Sequence, residues 1–331
     1  MNARYALGLI LFALSWLGIQ SQSKAEVSGV GLPKIVLEMQ RTFDKDGQVV
    51  AVMSAGPSRP DANLLVVAAA DGAMTVDIEK PKYARWIAEN ELIVEHGYRA
   101  SSRVPQSRIV RIDRQGNQLQ VLSDNEGLSN PKPNKMGQWA AVRFNEKSGV
   151  PEGVAIRGGG SASSFNSFVP FHENAAARMF SHLAWAPDST HLALAVWEES
   201  SFGHGILPRL GILSDGSTPI RRFDAKNSIN ARPLFWTKVG LFATGKEGML
   251  QCNGKTESCE LVYAPGSGRF IFSGTPTDDE HAILLVQDHE SDPLEVRGKE
   301  LHKVNLKTGT REEFMRLPND VFISDIDIYF Q

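Results

Sequence analysis

Cysteine is nearly absent from this 331-residue chain, with two residues, Cys252 and Cys259. That scarcity rules out a disulfide-dense scaffold. The pair lacks the second ligand pair a zinc module needs, and six intervening residues are too many for a C-x-x-C redox motif. Both lie in "CNGKTESC", where Asn253-Gly254 is a turn signal that can set the two sulfurs opposite each other across a hairpin. In an oxidising compartment a Cys252–Cys259 disulfide is expected, and closing so short a loop contributes at most about 2–3 kcal/mol.

A basic excess is also missing. The 35 Lys and Arg face 38 Asp and Glu, a balance that argues against nucleic acid as partner. Catalytic fingerprints are equally scarce. No G-x-S-x-G elbow, no His-x-x-x-His and no cofactor fingerprint occurs. "GGGSASS" (158–164) lacks the Lys-Ser/Thr ending of a phosphate loop and reads as a turn. His182 and His191 flank Asp188, but no serine is placed to complete a triad. "QDHESDPLE" (287–295) has alternating acids without the glycine and distal acid of an EF-hand loop, so it reads as a solvated acidic loop. No metal and no cofactor is expected on these grounds.

The first 25 residues stand apart. Arg4 precedes an uncharged apolar run, Tyr5–Ile19, and Ser23-Lys24-Ala25 offers small residues at the −3 and −1 positions before Glu26. This layout is that of a secretory signal peptide, and the run is short for a bilayer of about 30 Å. The expected organisation is therefore a signal peptide over 1–25 and a single domain over 26–331, periplasmic or secreted, with no later membrane span. The mature chain carries a net charge of −5, enough to keep it soluble, and is expected to be monomeric.

After residue 25 helical periodicity is almost absent. Short alternating or apolar runs recur instead, bounded by Gly, Pro, Asp and Asn, and they read as strands. Six look equivalent: "QVVAVM" (48–53), "ELIVE" (91–95), "WAAVRF" (139–144), "HLALAV" (191–196), "VGLFAT" (239–244) and "HAILLV" (281–286). Their centres are 42 to 52 residues apart. Each run precedes a second strand, a glycine-bearing turn such as Asp71-Gly72 or Thr308-Gly309, and a third strand. An aromatic precedes or opens most of them: Trp86, Trp139, Trp185, Trp236, Phe270. A repeat of 40–50 residues with about four strands is the mark of a propeller blade. The reading is an all-β, six-bladed β-propeller of four-stranded antiparallel blades, with seven blades as the alternative if an irregular one lies inside 145–180. "VFISDIDIYFQ" (321–331) and "KIVLEM" (34–39) are read as spare strands meeting at the seam between first and last blades.

"HLAWAPDSTHLALAV" (182–196) resembles the repeat of TolB-like (PD40/WD40-like) propellers, in which a Trp-x-Pro-Asp turn precedes an apolar strand; Trp185, Ala186, Pro187, Asp188 and Ser189 carry the match. It is similar as well to the propeller domains of prolyl-oligopeptidase-type peptidases, here without a hydrolase domain. "TPTDDEHAILLV" (275–286) and "NPKPNKMGQWAAV" (130–142) match in part. The resemblance implies fold rather than function.

Loops on a rigid scaffold commonly carry binding. The long connections 96–107, 199–208 and 288–300 should emerge together on one face, placing Tyr98, Arg99, Arg103, Phe202, His204 and His289 on a rim around the axis. Arg and aromatics are favoured interface anchors. The functional expectation is an exported, non-enzymatic scaffold for a protein or peptide. The alternative is a propeller enzyme, a metal-dependent hydrolase or lyase, with its site in the axial channel.

Overall fold

The computed structural model of the chain describes residues 31–43, 50–56, 59–69, 71–97, 106–145, 147–149, 151–158, 167–170, 182–199, 206–214, 221–223, 231–288, 300–318 and 322–329. Among these residues the strands pair into six four-stranded antiparallel sheets. The first holds β1 (Val50–Gly56), β2 (Arg59–Ala69) and β3 (Gly72–Val76). The second is β4 (Tyr83–Ala88), β5 (Glu91–His96), β6 (Arg108–Asp113) and β7 (Gln118–Asp124). The third is β8 (Leu128–Pro133), β9 (Trp139–Phe144), β10 (Pro151–Arg157) and β11 (Ser167–Pro170). The fourth is β12 (Leu183–Trp185), β13 (His191–Glu199), β14 (Ile206–Ser214) and β15 (Arg221–Arg222). The fifth is β16 (Arg232–Thr237), β17 (Gly240–Thr244), β18 (Met249–Asn253) and β19 (Ser258–Tyr263). The sixth is β20 (Arg269–Pro276), β21 (His281–Asp288), β22 (Glu300–Asn305) and β23 (Arg311–Arg316). The last strand, β24 (Phe322–Ile328), returns to the first sheet and pairs antiparallel with β1, Val52 opposite Ile326. The architecture is an all-β propeller with four-stranded antiparallel blades.

The six apolar runs become β1, β5, β9, β13, β17 and β21, each the second strand of its sheet. Their continuous hydrophobicity has a simple cause. Successive side chains on a strand point to opposite faces, and on β5, β9, β13, β17 and β21 both faces are covered. On β13, Leu192 and Leu194 pack with the third sheet's Val142 and Val154, while Ala193 packs with the fifth sheet's Leu241 and Ala243. On β9, Ala140 and Val142 face the fourth sheet and Trp139 and Ala141 the second. Six such cores lie one between each adjacent pair of sheets, the sixth joining Ile283 and Leu285 of β21 to Val66 and Ala68 of β2. The inner strands β4, β8, β12, β16, β20 and β24 neighbour one another in the same cyclic order.

"KIVLEM" is not a strand. It lies inside α1 (Leu32–Phe43), and Leu32, Val36, Met39 and Phe43 recur at steps of four, three and four, the spacing of one helical face. That face is buried in the core shared by the first and sixth sheets, beside β2, β3 and β23, so the segment covers their junction as a helix. Reading the short apolar core Ile35-Val36-Leu37 alone hid the longer period. The region 145–180 supplies β10 and β11 to the third sheet, and no seventh sheet forms among the described residues. Cys252 and Cys259 are opposite partners on β18 and β19 and are disulfide-bonded.

Candidate functional site

A strand that lines an axis has no neighbour on its axial side, so its polar groups must find partners on the adjoining inner strands. The closing strand shows this most clearly. Asp327 accepts the Trp86 backbone N–H at 2.8 Å from β4 on one side and the Thr275 hydroxyl at 3.4 Å from β20 on the other. Asp325 pairs with Arg85 of β4 and accepts the Ser273 hydroxyl of β20 at 3.1 Å. Arg85 is 7% exposed and Asp325 4%, so this ion pair is buried. Trp185 donates its indole N–H to the Lys132 carbonyl at 2.9 Å, tying β12 to β8.

Where the inner strands end, they enclose a cavity of about 540 Å³ to which all six contribute: Arg85 and Trp86, Lys132 and Pro133, Leu183 to Trp185, Leu234 to Thr237, Gly274 to Pro276, and Ile326 to Ile328. Tight turns shape its mouth. In Ala186-Pro187-Asp188-Ser189, the Ser189 N–H reaches the Ala186 carbonyl at 2.8 Å, Asp188 Oδ1 accepts the Thr190 N–H at 2.9 Å, and Ser189 adopts φ of +61°. Asn134 and Asp278 accept backbone N–H groups in the equivalent turns of the third and sixth sheets. Asp188 thus shapes a turn, and His191 Nδ1 lies 2.7 Å from the Thr190 hydroxyl; no triad forms there.

The cavity is electrically unusual. Burial, reinforced by Arg85, pulls the Lys132 ammonium down to about 7. Burial also pushes His182 down to about 3, with Arg232 and Lys132 adding to the effect, so its imidazole is neutral. Burial raises Asp327 above the usual carboxylate range against the pull of Arg85 and Lys132. Burial opposes the charge on Arg85, yet Asp325 and Asp327 together hold it above its ordinary value. The Trp86 indole N–H and His182 Nδ1 are buried without a hydrogen-bond partner among the described residues. No group of three His, Cys, Asp or Glu side chains suited to a metal ion occurs among the described residues.

At Ala186, Pro187, Trp236, Thr237 and Lys238 the cavity continues into a groove of about 1250 Å³ between the fourth and fifth sheets, where His191, Gln251, Lys255 and Glu260 line it. Trp236 stands at the junction, its ring 6.3 Å from that of His191.

Tyr98, Arg99, Arg103, Phe202, His204 and His289 all lie outside the described residues, as do 289–299 of the acidic loop. The strand ends that flank these segments, His96 and Arg108, Glu199 and Ile206, Asp288 and Glu300, lie at the end of the sheets away from the cavity mouth. Sequence reasoning did not single out Arg85, Lys132, His182, Asp325 or Asp327 as a group. The one available signal was charge inside otherwise apolar strand segments, "ARWIA" and "ISDIDI".

No protein-family model matches the chain, and no curated protein matches it in sequence. Solved structures match it in fold. A protein of unknown function from Bacteroides caccae gives a TM-score of 0.58 at 10% identity, covering 86% of this chain and 99% of that one. A chain of the nidogen/laminin complex gives 0.54 at 9% identity, covering 84% and 98%. The β-propeller domain of the trilobed protease from Pyrococcus furiosus gives 0.49 at 10% identity, covering 84% and 80%. No helix among the described residues is long and apolar enough to cross a membrane.

Proposed function

We propose that the protein is an exported, six-bladed, TolB-like propeller that binds a protein or peptide partner at the axial mouth and catalyses no reaction. One observation carries this reading: a cavity fed by all six inner strands shares its Trp236 edge with a groove of about 1250 Å³. A scaffold held by six inter-sheet cores presents such a surface with little ordering cost on binding. The disulfide and the apolar leader Tyr5–Ile19 support an oxidising, extracytoplasmic location, periplasmic or secreted. The mature protein is proposed to act as a monomer. Tyr98, Arg99, Arg103, Phe202, His204 and His289 remain proposed as a second contact surface on the opposite face.

A channel enzyme is the second reading, favoured by the convergence of Arg85, Lys132, Asp325 and Asp327 from three sheets. Photo-crosslinking in intact cells separates the surfaces. A photoreactive residue at Lys238 should trap a defined partner, and Trp236→Ala should reduce that yield at least several-fold. Trapping only from position 202, with no effect of Trp236→Ala, would move the binding surface to the other face.

A further inference from the structure

The two buried carboxylates of the closing strand are engaged, and two donors beside them are not. Asp325 is engaged by Arg85 and Ser273, and Asp327 by the Trp86 backbone and Thr275. The Lys132 ammonium has no hydrogen bond or ion pair among the described residues, although it lines the cavity beside these groups. Trp86, only 7% exposed, has its indole N–H unpartnered and lines the same cavity. An indole N–H and an ammonium can only donate, so both call for an acceptor. A buried donor left without one costs about 1–3 kcal/mol. A cationic ligand would face Arg85 and Lys132, and the buried carboxylate on the cavity wall, Asp327, already accepts from Trp86 and Thr275. The lining also offers apolar surface from Leu183, Trp185, Phe235, Trp236 and Ile328. The volume falls within the roughly 300–1,000 Å³ of small-ligand pockets.

We propose that the axial cavity is a carboxylate-binding site in which Lys132, Trp86 and Arg85 receive the carboxylate of an apolar acid or of a peptide C-terminus. The proposal rests on the axial mouth being the binding surface. It has a consequence in protons. The groups facing Lys132 are Arg85 on β4, Asp325 and Asp327 on β24, His182 ahead of β12 and Arg232 on β16; β20 presents the hydroxyls of Ser273 and Thr275, which do not titrate in this range. The arginines stay charged and His182 stays neutral, which leaves Lys132 and the buried Asp327 carboxyl as the groups able to take up a proton when a carboxylate arrives; Lys132 is the one whose charge the ligand pairs with. Affinity for the acid should then fall about tenfold per pH unit above the free-state midpoint of Lys132.

The test follows the Lys132 signal directly by NMR of the intact protein labelled at lysine Cε, assigned with Lys132→Met, across about pH 5.5 to 9.5. The probes are benzoate, N-acetyl-Ala-Ala-Phe with a free carboxylate, and the same peptide as its amide, each at tens of millimolar. The expected result is a rise of at least about one unit in the Lys132 midpoint with a free carboxylate and none with the amide. A shift with benzoate identifies a small acid as sufficient, and a shift with the peptide acid alone identifies a chain terminus. No shift with either acid, or an equal shift with the amide, overturns the proposal. Overturned here, with crosslinking at position 238 intact, the carboxylate falls and the binding surface stands; loss of that crosslink removes the surface itself.

Discussion

Replacing Arg85 with methionine should unfasten the ring at its seam. Arg85 belongs to the second sheet and Asp325 to the strand that closes the first, and both are buried. Arg85→Met would leave Asp325, among the described residues, with only the Ser273 hydroxyl and the Ile326 N–H, each at 3.1 Å. Removing one member of a buried pair strands the other charge, a cost of about 3–5 kcal/mol. For a domain of this size that is a fall in Tm of roughly 6–10 °C. Adding Asp325→Asn removes the stranded charge, so the double variant should recover about 2–3 kcal/mol of the loss. The assay is a double-mutant cycle by urea and thermal unfolding at neutral pH. If Arg85→Met unfolds within about 2 °C of the parent, or the two substitutions simply add, the pair does not secure the seam as argued.

Other predictions follow from single groups. His182 and His302 both have folded pKa values lowered chiefly by burial, so the unfolded chain takes up protons first as pH falls. Stability should be full above about pH 6.5 and decline below it, with His182 alone accounting for about 2 kcal/mol at pH 5; an unfolding midpoint flat from pH 7 to 5, or unaltered in slope by His182→Asn, would refute this. Gly309 has φ of +68° and a Cβ there would meet the Val262 carbonyl oxygen at 1.9 Å, so Gly309→Ala should cost about 2–4 kcal/mol. Gly137 has a similar φ of +74° with open space around it, and Gly137→Ala should cost only about 1–2 kcal/mol by the same unfolding assay. Loss of the Cys252–Cys259 bridge should cost about 2–3 kcal/mol from its loop length, and a melting temperature insensitive to reductant would contradict that.

The propeller was legible because second strands such as β5, β9, β13, β17 and β21 are buried on both faces, which writes a continuous apolar word such as "HAILLV". The glycine turns between third and outermost strands mark the same period: Asp71-Gly72 joins β2 to β3 and Thr308-Gly309 joins β22 to β23. The helix was missed because "KIVLEM" is too short to separate a period of 3.6 from a buried strand; only Leu32 and Phe43, outside that window, complete the stripe. The cavity was illegible for a different reason. Arg85 and Asp325 are 240 positions apart in a linear chain, and Lys132 sits in "NPKP" with no chemical motif around it. Their meeting is a product of ring closure. Loops drew attention because length and polarity are visible in one dimension, whereas convergence on an axis is not.

Every claim about the cavity depends on β24 being the innermost strand of the first sheet, held between β4 and β20. Native-state amide hydrogen exchange of the peptide spanning Phe322–Ile328, read by mass spectrometry beside His281–Asp288, tests that most directly. Closure predicts that the two peptides are protected to a similar degree and lose protection together on global unfolding. A C-terminal peptide that exchanges within seconds while His281–Asp288 stays protected would contradict it.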